Sequence, residues 1–110
     1  MSHVTFSQFT ELQIVIGTIV SVAVVPDADR LLKLMVDVGE EEPRQVVSGI
    51  REYFAEPEVL VGKQCPFLIN LEPRMIRGLE SQAMILASHT DATFSLLEPQ
   101  PGLPAGTPVQ

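Results

Sequence analysis

Apolar and polar positions come closest to strict alternation over Leu32–Val38, which reads Leu-Lys-Leu-Met-Val-Asp-Val. A period of two puts successive side chains on opposite faces of a strand, so this segment predicts a β-strand with one buried face. Upstream, Ile14 to Val25 is dominated by Val and Ile, whose branched β-carbons suit a pleated sheet, and it predicts a longer strand. Gly17 interrupts that strand and is its expected bend, because glycine within a strand often marks a bulge or tight corner. Pro26-Asp27-Ala28-Asp29 ends the strand with turn residues. After the polar stretch Gly39–Pro43, Gln45–Ser48 is expected to pair with the second strand as an antiparallel hairpin.

Two short helical turns fit around these strands. Thr5-Phe6-Ser7-Gln8 has capping-box spacing and predicts a turn through Phe6 and Phe9. Arg51 to Phe54 predicts another, stopped at Glu56-Pro57. Gln64–Ile69 is the fourth strand; Pro66 lacks an amide donor, so the strand must lie at an edge there or be bulged. Asn70–Gln82, with Pro73 and Gly78, reads as a turn-rich connection. Ala83–Ala87 is a fifth strand, Phe94–Leu97 a sixth, and Pro99–Pro108 a Pro/Gly-enriched tail. Five main strands with a small helix between the third and fourth describe an all-β, five-stranded Greek-key barrel of the oligonucleotide/oligosaccharide-binding (OB) type. One domain over residues 1–110 is expected, its barrel core spanning about residues 9–87.

Charge narrows the possible partners. Seven Lys and Arg against 14 Asp and Glu leave a net charge of −7, so any nucleic-acid site must be local. At 45% hydrophobic and 19% charged residues, with no apolar run of membrane-spanning length, the chain reads as a soluble globule with no membrane partner. Met1–Thr5 shows no basic start followed by an apolar stretch, which places the expectation in the cytoplasm. The lone Cys65 cannot form an internal disulfide and is expected as a buried thiol.

Catalytic and metal chemistry find little support. Ser88, His89 and Asp91 crowd one turn, where neighbouring positions seldom aim at one substrate atom, so they read as a polar loop rather than a triad. One Cys and two His without a short-spaced pair exclude a zinc motif, and Asp37 with Glu40, Glu41 and Glu42 reads as a solvated hairpin tip. No glycine pattern cradles phosphate, and no cofactor is expected. The basic residues say more. OB-fold ligands lie across strands 2 and 3, between the loops joining strands 1 and 2 and strands 4 and 5. Arg30, Lys33, Arg44, Arg51, Arg74 and Arg77 all fall in that region and only Lys63 lies elsewhere. They form either a binding patch or the ordinary charge of exposed loops, diluted by Asp27, Asp29, Glu72 and Glu80. Tyr53 and Phe54 read as plugs or lids of the core before base-stacking groups.

Four segments resemble one family. Val25-Pro26-Asp27-Ala28-Asp29-Arg30-Leu31, Val36-Asp37-Val38-Gly39 and Arg44-Gln45-Val46-Val47-Ser48-Gly49-Ile50 are similar to the tRNA-binding domain, as is the longer run from Asn70 to Met84. That family includes the C-terminal domain of bacterial methionyl-tRNA synthetase, free-standing tRNA-binding proteins and the chaperone CsaA. The resemblance covers about Phe9 to Ala87 and implies a non-catalytic OB barrel acting as a homodimer, with segments at both ends joining the protomers. Phe6, Phe9, Phe94, Leu96, Leu97 and Leu103 would be covered by such pairing or by the barrel itself.

The resemblance implies tRNA as partner and carries binding roles to Arg30, Arg44, Asn70, Arg74, Arg77, Ser81 and Met84, beside Lys33 from the charge reading. Arg30, Arg74 and Arg77 rank first, because a guanidinium holds phosphate bidentately. Met84 and the Ser48-Gly49-Ile50 corner have structural readings too. Many members carry basic residues where this chain has Val15, Thr18, Met35 and Met75, so tRNA binding is expected to be weaker here. The same changes make the groove more apolar, which implies the alternative of a CsaA-like chaperone for unfolded or export-bound polypeptide; a further alternative is a dimerising or anchoring module for an aminoacyl-tRNA synthetase, with the barrel as scaffold.

Overall fold

The Thr5 hydroxyl accepts the Gln8 amide at 3.1 Å, and the Gln8 side chain accepts the Thr5 amide at 2.8 Å, closing the capping box that opens α1 (Phe6–Thr10). The computed structural model describes all residues from Met1 to Gln110. The chain continues through β1 (Ile14–Val24), β2 (Leu32–Asp37) and β3 (Arg44–Ser48), then two single 3-10 turns, Arg51–Tyr53 and Pro57–Leu60. β4 (Gln64–Leu68), β5 (Arg74–Ile76), β6 (Leu79–Ser81), β7 (Met84–Ile85), β8 (Ala87–His89), β9 (Phe94–Leu96) and β10 (Pro108–Val109) complete it.

The main sheet runs β3-β2-β1-β4-β7, all antiparallel, and curls into a nearly closed five-stranded barrel. Along β2 the alternation holds: Leu32, Leu34 and Val36 are fully buried, while Lys33, Met35 and Asp37 sit half-buried on the outer face. They join Ile19, Val46, Leu60, Cys65 and Phe67 in one core. Burial pushes the Cys65 thiol up to about 11, as expected for a thiol removed from water.

Gly17 does a different job from the one expected. Its pairing with Cys65 is regular, and the register shift of β1 against β2 falls between Ile19 and Ser21, one turn of the pleat later. A β-carbon on Gly17 would stand 2.7 Å from the Phe67 ring and 2.7 Å from Val36, so this glycine makes room for the central aromatic. Pro66 lies within the unbroken β1–β4 ladder. Its carbonyl accepts from Leu86 at 3.0 Å, so its nitrogen faces the side where β7 has ended. The missing donor thus falls at the end of the β4–β7 pairing, and no bulge is needed.

Two segments are more ordered than their sequence predicts. The Asn70–Gln82 connection contains the β5–β6 hairpin, turned by Arg77 (φ 52°) and Gly78 (φ 79°). Positive φ at both central residues is the geometry of the tight hairpin turn that matches strand twist. Ala83–Ala87 splits into β7 and the start of β8, which pairs with β9. The tail is strapped down: Ile16 donates to Thr107 and accepts from Gly106, the Gln64 side chain donates to the Leu103 carbonyl, and β10 pairs with Ile14 and Val15.

Gly39 and Gly106 cross in contact, both with φ near +90°. A β-carbon on Gly106 would meet the Val38 carbonyl oxygen at 2.8 Å, and one on Gly39 the Ala105 oxygen at 2.9 Å. Gly62 has the same φ with nothing within 4 Å. Gly106→Ala is therefore expected to cost about 1–3 kcal/mol beyond Gly62→Ala, which carries only the backbone penalty, and Gly17→Ala a comparable amount. Urea unfolding of the three variants checks this; equal costs for Gly62→Ala and Gly106→Ala would contradict the crossing contact.

Candidate nucleic-acid interface

The β1–β2 turn is built on Pro26, with Asp27 following it at φ 59° and the Ala28 amide donating to the Val25 carbonyl at 3.2 Å. Proline followed by a positive φ is the pattern of a type II turn. Arg51 braces this turn twice, its amide to the Arg30 carbonyl and its guanidinium to the Ala28 carbonyl, each at 3.2 Å. Opposite stands the β5–β6 hairpin. Between the two lies an open cleft of about 490 Å³, with Asp27, Asp29, Arg30 and Leu31 on one wall and Ile76 and Arg77 on the other. A smaller crevice shares Ile76 and is lined by Arg74, Met84 and Ser81. The barrel thus brings Arg30 and Arg77 to one cleft, with Arg74 next to it.

The candidate residues fall into two groups. Arg30, Lys33, Arg74 and Arg77 have no carboxylate partner: the ion pairs of the chain are Arg44–Glu40 at 2.7 Å and Lys63–Glu98 at 3.3 Å. Lys33 lies on the outer face of β2, opposite Ala23 and Val47. Arg44, Asn70 and Ser81 instead hold the barrel together. Arg44 donates to Glu40 through Nε and Nη2, and to the Ile69 and Gln82 carbonyls through Nη1. The hydrogen bonding to Glu40 holds the Glu40 carboxyl below the usual carboxylate range and raises the Arg44 guanidinium. Asn70 accepts the Gln13 amide and donates to the Glu11 carbonyl, fixing the chain as it leaves α1. Ser81 is buried; its hydroxyl accepts the Val47 amide at 3.0 Å and donates to the Ala83 carbonyl at 3.1 Å. Met84 is exposed at the rim of the crevice.

The four positions where basic residues are missing separate in the same way. Met35, beside Lys33 on the outer face of β2, and Met75, exposed on the hairpin, lie near the basic residues. The Thr18 hydroxyl is a partner of Gln64, and Val15 lines a different groove. That groove, of about 540 Å³, is formed by α1 and β10, with Phe6, Phe9, Leu12 and Val109 exposed along it. Phe94 belongs elsewhere: it stacks on Tyr53 at 4.2 Å and meets Phe54 edge-on at 5.8 Å, a self-packed cap beside the first 3-10 turn. Ser88 and His89 follow each other on β8, and Asp91 lies in a β8–β9 turn tied by Thr90 and Thr93. Three or more His, Cys, Asp or Glu side chains nowhere gather to hold a metal ion, and no helix is long and apolar enough to cross a membrane.

Sequence reasoning names the basic residues but not Arg51 as a brace or Asp27 as a wall of the cleft; the Pro26-Asp27 pair, with its turn chemistry, is the signal that could have marked the wall.

Comparison with known proteins is consistent along the whole chain. The family described as "Putative tRNA binding domain" matches residues 14–108. Methionine–tRNA ligase of Methanococcoides burtonii is 47% identical over 105 residues, which is 94% of this chain and 15% of that protein. The chain thus spans about a sixth of the curated relatives it matches. Among solved structures, a MetRS-related protein from Pyrococcus horikoshii superposes with a TM-score of 0.92 at 31% identity, covering 100% of both chains. The chaperone CsaA of Bacillus anthracis superposes with a TM-score of 0.86 at 27% identity, over 99% of this chain and 100% of that one.

Removing the Ser81 hydroxyl leaves the buried Val47 amide without its acceptor. Ser81→Ala is expected to lower unfolding stability by about 1–3 kcal/mol, and Arg44→Met to do likewise by freeing two carbonyls. Denaturant unfolding reads both; a change within error for Ser81→Ala would remove it from the barrel seam.

Proposed function

Because this chain belongs to the tRNA-binding domain family, we propose that it is a non-catalytic module that binds tRNA by shape and backbone, within the methionyl-tRNA synthetase system. The observation that carries the reading is the placement of Arg30 and Arg77 on facing walls of one cleft, with Arg74 adjoining and none of the three paired to a carboxylate. A guanidinium free of internal partners can offer its planar fork to phosphate oxygens. Lys33 extends the surface along β2. Arg44, Asn70 and Ser81 support binding by holding the barrel in shape, and Met84 forms the rim. With a net charge of −7 the protein supplies no long-range attraction, and Met35 and Met75 stand where further cations would act. Affinity therefore rests on a few contacts, and its salt dependence is correspondingly shallow, scaling with the small number of phosphates held.

We further propose a cytoplasmic homodimer in which two copies cover each other's α1/β10 groove, where Phe6 is 80% exposed. An isologous contact would bury that apolar strip twice. Sedimentation at micromolar concentration should give a dimer, and Phe6→Glu a monomer that is still folded; a monomeric parent protein would overturn this.

The CsaA likeness keeps a second reading in play, in which unfolded polypeptide occupies the same face. Leu71, Met75 and Met84 are exposed beside Arg74 and supply the apolar contacts it requires. Titration of labelled total tRNA, with a labelled unfolded peptide in parallel, separates the two. Arg74→Ala and Arg77→Ala should each weaken tRNA binding and reduce the slope of log affinity against log salt by about 0.7–0.9 for every phosphate no longer held. Unchanged affinity in both variants would remove the arginines from the interface, and peptide capture without tRNA binding would replace the tRNA reading with the chaperone one.

A further inference from the structure

Two non-glycine residues in the chain have positive φ, Asp27 at 59° and Arg77 at 52°, and each stands on one wall of the same cleft. Asp is at ease in that conformation; Arg is not, since the first position of such a hairpin turn favours Asn, Asp or Gly. Arg77 thus keeps its charge at the cleft against a conformational cost, a pattern associated with functional positions. The cleft is also mixed in sign. Asp27 and Asp29 line it with Arg30 and Arg77, yet no acid–base pair forms among them. Its two carboxylates would repel a bare phosphate. A nucleotide of RNA carries what such a cleft can take in full: a phosphate for the guanidiniums and a 2′-hydroxyl donor for a carboxylate. A volume of about 490 Å³ is within the range of small-ligand sites.

We propose that Asp27 accepts the ribose 2′-hydroxyl of a nucleotide whose phosphate is held by Arg30 and Arg77, which makes Asp27 the residue by which this cleft requires ribose hydroxyls. The inference rests on the tRNA-binding reading and adds the group that is recognised. Asp27 is the better candidate of the two acids because Asp29 also faces the neighbouring cavity beside Arg51 and Glu52. The wall that carries it is rigid, held by the Val25–Ala28 and Ala28–Leu31 backbone bonds and by both Arg51 contacts. Little reorganisation is then needed on binding.

The test compares a tRNA transcript with a synthetic copy carrying 2′-O-methyl groups, which remove the hydroxyl donor. The parent protein should prefer the unmodified tRNA by about tenfold, the value of one hydrogen bond to a charged group. Asp27→Gly keeps the backbone conformation and should bind both RNAs equally. Asp27→Asn, which tolerates the same φ and keeps an uncharged acceptor, should fall between. A preference that survives in Asp27→Gly would reflect a steric clash with the methyl groups and overturn the proposal. So would equal tightening toward both RNAs, which would make Asp27 merely repulsive. Failure of the parent protein to bind either RNA would instead overturn the tRNA-binding reading, and this inference with it.

Discussion

Everything on the binding face hangs on the seam between β3 and the segment from Glu80 to Ala83. An open sheet of order β3-β2-β1-β4-β7 would leave β3 and β7 with unpaired backbone groups, and the seam meets that demand with side chains as well as backbone. Gln82 donates to the Gln45 carbonyl at 2.8 Å, the Gln82 side chain accepts the Gln45 amide at 2.8 Å, and the Ser81 hydroxyl accepts the Val47 amide. Arg44 ties the Ile69 and Gln82 carbonyls from the other side. These bonds close the barrel and also hold the β5–β6 hairpin along the edge of β3. Without them Arg74 and Arg77 would have no fixed relation to Arg30.

This arrangement explains how an acidic chain can present a site for a polyanion. Its basic residues serve two separate purposes. Arg44, Arg51 and Lys63 spend their donors on carbonyls or acids of the protein, and Arg30, Lys33, Arg74 and Arg77 remain uncommitted. The separation is spatial too. The uncommitted residues lie on the β2 face and its flanking loops, while the exposed apolar strip lies along α1 and β10, so the proposed ligand site and the proposed dimer contact would use different surfaces.

Most of the barrel was legible because its strands carry local patterns. The alternation of Leu32–Val38, the β-branched run of β1 and the capping box at Thr5 each report a periodicity or a single turn. What escaped depends on contacts distant in sequence. Gly17 looked like a bend, but its purpose is set by Phe67, fifty residues later. The β5–β6 hairpin was hidden because Arg77 replaces the Asn or Asp that usually announces such a turn. Arg44 and Ser81 match family motifs as readily as Arg74 does, and the sequence offers no means of telling that their polar atoms face inward. The tail read as loose Pro/Gly sequence because the crossing of Gly39 with Gly106 joins positions 67 residues apart.

The central claim is that tRNA is bound by the cleft between the β1–β2 turn and the β5–β6 hairpin. Backbone amide chemical shifts of the isotopically labelled protein, followed during addition of tRNA, test it most directly. Changes concentrated at Arg30, Leu31, Arg77 and Gly78, with α1 and β10 unaffected, are the predicted result; changes confined to α1 and β10, with the cleft silent, would contradict it.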